Sequence, residues 1–389
     1  MKAGNSVLAS YGTTVFEVMS RLAIEHKSIN LGQGFPDEEG PDAVKAELDR
    51  VTRESSNQYP PMLGVPELRQ AVAAHAKRFY GLDVDGTREV IVTSGATEAL
   101  AACILSLVEP GDEVVLFEPL YDSYLPMLQR AGAVTKLVRL MPPAWEVPWP
   151  ALEAAFTAKT KLLLLNTPMN PTGKVFTRAE LERIARLVAR HDTYAVCDEV
   201  YEHLVFDKRP HVPLLTLPGM RERVARIGSA GKTFSMTGWK VGYITAAPDL
   251  AAKIAKAHQF LVFTTPPNLQ RAVAFGLDNE EPWYRGLAGE LQAKRDYFAY
   301  GLRRLGCEVL TSAGTYFVNA DFRPLGSNES DVDLCRRLTV EAGVTPVPVS
   351  AFYTSAEVNH LARFSFCKKQ AVLAGALDRL NAYFRKRTA

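Results

Sequence analysis

The segment Ser229-Ala230-Gly231-Lys232-Thr233-Phe234-Ser235-Met236-Thr237-Gly238-Trp239-Lys240 sets a lysine among small and hydroxyl-bearing residues, directly after the candidate strand 224–228. Gly231-Lys232-Thr233 invites a phosphate-loop reading, but that motif needs glycine six positions before the lysine, where Arg226 stands. Gly173-Lys174 fails the same test at Pro168. A nucleophile elbow around Ser229 needs glycine at the position of Ile227. A lysine after a strand has another use. Its amine forms a Schiff base with a carbonyl when burial or a neighbouring cation lowers its pKa.

Pyridoxal phosphate chemistry needs such a lysine, a carboxylate for the pyridinium nitrogen and a seat for the phosphate. For the carboxylate, the apolar run 194–197 leads straight into Asp198, and ligands of parallel α/β sheets bind at the carboxyl ends of strands. An aspartate there equally caps a following helix. For the phosphate, Thr93-Ser94-Gly95-Ala96-Thr97-Glu98-Ala99 turns from a strand into an alanine-rich helix, whose N-terminal N–H groups bind anions. An ordinary strand-to-helix turn reads the same way. Ser229 and Lys240 can add a hydroxyl and a positive charge. Asn166-Thr167-Pro168-Met169-Asn170-Pro171-Thr172-Gly173 forms a rigid loop in which Asn170 either donates to a ring oxygen or serves the turn.

These residues need a scaffold that brings strand ends together. Candidate strands are 89–93, 113–117, 133–140, 161–166, 194–197, 224–228 and 241–246, with helical patterns between them. The clearest helix is 177–191, opened by a Thr177/Glu180 capping box. Alternation of this kind predicts an α/β fold with a mainly parallel sheet of about seven strands and helices on both faces. The ends differ. A short helix is expected at 13–26, a long one from 282 to 305, strands at 307–310, 316–321 and 361–366, and helices near 331–342 and at the C-terminus. The expected division is a large domain at 41–281 and a smaller α+β domain from 1–40 and 282–389. The Pro/Trp-rich stretch 142–150 reads as a surface connection.

The 389 residues carry 45 Lys and Arg against 43 Asp and Glu, a net charge of +2, so no nucleic-acid partner is expected. No apolar run reaches the ~18 residues of a membrane span, and the N-terminus shows no secretory signal. Five cysteines without a C-x-x-C pair read as free thiols, which predicts a cytoplasmic protein. The seven histidines show no H-E-x-x-H, and His203 and His211 lack neighbouring cysteine ligands, so no metal is expected. Gly32-x-Gly34 is not a dinucleotide fingerprint, because Asp37 replaces its third glycine.

Taken in order, these segments resemble the class I aminotransferases of pyridoxal phosphate fold type I along essentially the whole chain. The subgroup most similar contains kynurenine, glutamine and methionine aminotransferases. The residues that carry the resemblance are Asn30-Leu31-Gly32-Gln33-Gly34-Phe35-Pro36-Asp37, Asn57-Gln58-Tyr59, 94–99, Asn170-Pro171-Thr172-Gly173-Lys174, Asp198-Glu199-Val200-Tyr201, 229–240 and Arg363-Phe364-Ser365-Phe366. The resemblance implies that Lys232 binds the cofactor aldehyde and later carries a proton, and that Asp198 pairs with the pyridinium nitrogen. It implies that Asn170 and Tyr201 bond the ring hydroxyl oxygen. Ser229, Lys240, Ala96 and Thr97 would bind the phosphate, and Tyr121 would stack on the ring. Tyr59 would reach the phosphate of a partner subunit, which implies a homodimer with shared sites. Arg363 would grip the substrate carboxylate, although strand alternation around it by itself favours an exposed side chain. Gly34 would close over the substrate.

The implied reaction is ping-pong transamination between an amino acid and a 2-oxo acid. The alternatives on the same scaffold are β-elimination from cysteine conjugates and a non-catalytic cofactor-binding protein. Aspartate-type relatives use a second arginine where residues 259–266 here carry no cation. Phe16, Tyr121 and Phe263 suggest an aromatic or apolar pocket, which predicts methionine, glutamine, kynurenine or aromatic donors. Phe16 and Thr264 stand where several relatives have tryptophan and histidine.

Overall fold

Seven strands form one sheet in the computed structural model, which describes residues 2–388. They are β1 (Val90–Ser94), β2 (Glu113–Glu118), β3 (Val134–Arg139), β4 (Thr160–Asn166), β5 (Tyr194–Asp198), β6 (Val224–Ser229) and β7 (Val241–Thr245), each within one residue of its expected bounds. Their order is β1-β7-β6-β5-β4-β2-β3. All neighbours are parallel except β7, which runs against both β1 and β6. The short connection from β6 returns the chain directly, whereas a parallel neighbour needs a longer crossover.

Side-chain alternation along β4 feeds two cores. Leu162 and Leu164 enter one, with Ile227 of β6, while Leu163 and Leu165 enter the other, with Cys197 of β5. The helix α2 (Gly95–Leu107) covers the first face, after a shorter N-terminal helix α1 (Val15–Glu25). The helix α3 (Arg178–Arg190) covers the second with Leu181, Ile184 and Val188, and its Thr177/Glu180 capping box is present.

A second, antiparallel sheet has the order β10-β11-β9-β8, formed by β8 (Glu308–Val309), β9 (Phe317–Asp321), β10 (Val347–Pro348) and β11 (Leu361–Ser365). The long helix α4 (Glu281–Leu305) packs against the C-terminal helix α5 (Gln370–Thr388). Ile29 and Asn30 pair in parallel with Val344 and Thr345, so the N-terminal segment joins a strand made late in the chain.

The stretch 142–150 departs from its expected role. Trp145 is 2% exposed and Val147 is also buried, both within the second core, and Trp149 opens a helix. Large apolar side chains, not the prolines between them, decide this segment's place.

Between the sheet and helix Pro66–Tyr80 lies a buried polar network. Buried Arg226 donates to Glu199 at 2.6 Å and to Glu202, and Tyr80 donates to Glu202. His75, Glu202 and His203 bring possible metal-ligand atoms within 4.8 Å of one another. The two imidazoles are engaged with each other at 2.8 Å, and Glu202 is engaged by Arg226. Among the described residues, no helix is long and apolar enough to cross a membrane, and all five cysteines are buried and free.

Candidate active site

Strand register brings the expected residues to one edge of the large sheet. Ser94 pairs with Val241, Ser229 with Gly242, and Asn166 with Asp198. The carboxyl ends of β1, β4, β5 and β6 and the start of β7 thus surround a cavity of about 180 Å³.

Lys232 sits at the cavity wall on the short helix Ala230–Thr233. Its Nζ donates to the Tyr316 hydroxyl at 2.6 Å and to the Gly34 carbonyl at 3.4 Å. Burial lowers its pKa to about 8, opposed by Cys367 and Asp198 and reinforced by the cations Arg363 and Lys240. A lysine whose ammonium is disfavoured in this way can act as a nucleophile closer to neutral pH than an exposed one.

Asp198 closes the floor. Its Oδ2 accepts from the Tyr124 hydroxyl at 2.7 Å, and burial raises its pKa against the influence of Tyr124 and Lys232. Asn166 donates to the Asp198 carbonyl at 2.9 Å and accepts from the Asn170 amide at 2.8 Å, which ties the Pro-rich loop to the end of β5. Asn170, Tyr121 and Tyr201 line the remaining wall.

At the other end, Gly95, Ala96 and Thr97 bring the first turn of α2 to the cavity. Ser94 provides no side-chain cap, so the free N–H groups of that turn remain available to an anion. Ser229 and Lys240 stand beside them. Gly242 permits this approach, since a Cβ there would lie 2.7 Å from the Gly95 carbonyl carbon. A reactive amine, a buried carboxylate with no cation hydrogen-bonded to it and an uncapped helix N-terminus fit the aldehyde, ring nitrogen and phosphate of pyridoxal phosphate.

Arg363, on β11, corrects the exposure expected from alternation: it is 1% exposed, because both faces of β11 are covered. Nη1 donates to Asn170 Oδ1 at 2.9 Å and Nη2 to the Gly32 carbonyl at 2.6 Å. The guanidinium lies 3.9 Å from the Phe317 ring centre, 4.9 Å from that of Phe352 and 5.2 Å from that of Phe16. Burial lowers its pKa to about 10. Its hydrogen-bond partners are all neutral, and Nε has none.

Tyr59 and Phe263 do not join this group. Tyr59 is 84% exposed and Phe263 43%, and their rings meet each other at 5.7 Å. Sequence reasoning also missed Tyr124, Asn166 and Tyr316. Asn166 ends a strand already expected to reach the site, so its position was available as a signal. Tyr124 and Tyr316 carry no local motif.

The family model described as Aminotransferase class I and II matches residues 26–380. The chain is 44% identical to the probable N-succinyldiaminopimelate aminotransferase of Mycobacterium tuberculosis, over 97% of each chain. It is 40% identical to the methionine aminotransferase of Escherichia coli, over 96% of this chain and 97% of the other. It is 38% identical to a kynurenine–oxoglutarate transaminase of Dictyostelium discoideum, over 96% and 94%. The solved structure of the Mycobacterium tuberculosis N-succinyldiaminopimelate aminotransferase matches with a TM-score of 0.95, covering 98% of this chain and 100% of that one. The chain belongs to the class I and II aminotransferases, and its activity is pyridoxal-phosphate-dependent transamination between amino and 2-oxo acids.

Proposed function

We propose that this aminotransferase works by a ping-pong cycle on donors with apolar or aromatic side chains, among them methionine, kynurenine and aromatic amino acids, and on glutamine. The observation that carries the reading is a groove of about 720 Å³ that shares Tyr121 with the cofactor cavity and is walled by Phe16, Leu125, Met127 and Phe352. The absence of a cation from 259–266 argues against aspartate.

Bound pyridoxal phosphate supplies an electron sink that lets the substrate Cα release a proton. Lys232 Nζ is the base that takes this proton. Asp198 holds the proton of the ring nitrogen, its desolvated carboxylate being most stable beside a cation. Asn170 and Tyr201 would bond the ring hydroxyl oxygen, and Tyr121 would stack on the ring. The first-turn N–H groups at Ala96 and Thr97, with Ser229 and Lys240, would hold the phosphate. Arg363 binds the substrate α-carboxylate, which supplies the anion that its neutral neighbours lack. Gly34 closes over the substrate.

Tyr59 and Phe263 serve the neighbouring site of a homodimer. Their exposure, together with that of Phe260 at 84%, supports this reading, because apolar patches of this kind mark interfaces. The division into 41–281 and a smaller domain from 1–40 and 282–389 is supported by the pairing of residues 29–30 with 344–345. Buried free thiols support a cytoplasmic location.

A donor panel of methionine, glutamine, kynurenine, phenylalanine, N-succinyldiaminopimelate and aspartate, each with several 2-oxo acids, tests the reading. The expected result is highest kcat/KM with an apolar or aromatic donor. Preference for aspartate overturns it.

A further inference from the structure

Tyr316 lies outside every motif that pointed to the site, yet its hydroxyl is the nearest polar partner of the reactive lysine. Lys232 Nζ donates to Tyr316 Oη at 2.6 Å, and Tyr316 Oη donates to the Gly34 carbonyl at 2.6 Å. A tyrosine hydroxyl has one hydrogen. With that hydrogen directed at Gly34, only lone pairs face the lysine, so the hydroxyl accepts from Lys232 and has no hydrogen left to offer it.

The ring is fixed in this position. Tyr316 is buried, edge-on to Tyr201 at 5.2 Å and to Phe317 at 4.8 Å. The Gly34 carbonyl reaches it because residue 34 has no side chain: a Cβ there would lie 2.5 Å from the Phe317 ring and 3.2 Å from the Tyr316 ring. Neighbouring ties hold the same loop, since Lys368 Nζ donates to the Phe35 carbonyl at 2.8 Å and Lys294 Nζ to Glu38 at 2.6 Å.

From this geometry we propose that Tyr316 is a positioning residue for transamination, whose hydroxyl holds the Lys232 amine whenever it is not bonded to the cofactor and links it to the loop at Gly34. The inference rests on the reading that Lys232 is the cofactor lysine. When Nζ takes the proton from the substrate Cα, the C–H electron pair stays with the substrate and the amine becomes an ammonium. Its N–H groups then find two acceptors already in place, Tyr316 Oη and the Gly34 carbonyl oxygen. These acceptors favour the ammonium and counter the burial that favours the neutral amine. They also keep Nζ from swinging out of reach between proton capture and proton return.

Tyr316→Phe keeps the ring and removes the hydroxyl. Two measurements on the holoenzyme test it. The first is the single-turnover rate of the donor half-reaction, followed by cofactor absorbance. The second is the titration of free Lys232 in enzyme already converted by donor, read as acetylation of the Lys232 peptide by mass spectrometry across pH. The expected result is a half-reaction about 10- to 100-fold slower, the loss of one hydrogen bond to a charged group, with donor affinity little changed and the Lys232 titration displaced to lower pH. An unchanged rate overturns the proposal. A slower rate with an unmoved titration also overturns it, because general disturbance of packing would produce that pattern. If Tyr316→Phe does not fold, Tyr316→Met removes the same hydroxyl. Borohydride attaching the cofactor to a peptide without Lys232 would instead refute the lysine assignment, a result separate from either outcome above.

Discussion

Arg363 Nη1 donates to Asn170 Oδ1 at 2.9 Å and so joins the second sheet to the Pro-rich loop at the edge of the first. One residue belongs to the proposed substrate-carboxylate site and the other to the proposed cofactor-ring contact. The bond therefore sets the distance between the two ligands that the enzyme must bring together.

Arg363→Gln keeps a donor toward Asn170 but removes the cation. A charge-assisted pair is about twice as strong as a neutral one, so kcat/KM for amino donors should fall about 100-fold or more. Cofactor binding should be nearly unchanged. Steady-state kinetics with an absorbance titration of the cofactor separates the two effects, and a loss confined to cofactor affinity contradicts the assignment.

Lys232 supplies a pH signature. Its pKa of about 8, lowered by burial, favours the neutral amine. At pH 7 roughly a tenth of the amine is neutral, against about one part in three thousand for an ordinary lysine. Cofactor uptake by the cofactor-free protein should rise about tenfold per pH unit up to pH 8 and then level off. A rise that continues to pH 10 contradicts the placement. Lys232→Ala should lose both the visible absorbance and turnover.

Gly242→Ala tests the approach of β7 to α2. Its Cβ would meet the backbone of Gly95 and Ala96 at 2.7 and 2.9 Å, atoms that cannot rotate away. Unfolding by urea should show a loss of about 1–3 kcal/mol, together with weaker cofactor binding. Gly286→Ala, where nothing lies within 4 Å of the new Cβ, should be neutral or slightly stabilising.

Arg226→Met tests the polar network behind the site. It leaves Glu199 and Glu202 buried without their guanidinium partner. Breaking a buried pair in this way costs about 3–5 kcal/mol, which a urea midpoint measures directly. A variant of unchanged stability would show that the network is already balanced without the arginine.

Much of the large sheet was legible because its strands are short, nearly continuous apolar runs bounded by turns, as at Leu162–Leu165. The lysine was legible because small residues surround it after such a run. The burial of Arg363 was not. Alternation on β11 resembles a strand with one wet face, and only tertiary packing covers both. Trp145 misled for the same reason, since the prolines beside it describe the backbone and not the core it enters. Tyr316 was invisible because its meaning depends on Gly34, 282 positions earlier.

The Gly32 carbonyl waits for a guanidinium made 331 residues later, and Ile29 for a strand that begins at Val344. During synthesis the large sheet can close while both of these partners are still missing. Residues 15–30 therefore have no final resting place until nearly the whole chain has left the ribosome, although Tyr11 already finds Gln129. A half-made molecule can form the cavity at Lys232 and Asp198, but it lacks Arg363, the proposed grip on the substrate carboxylate, which arrives with the last strand.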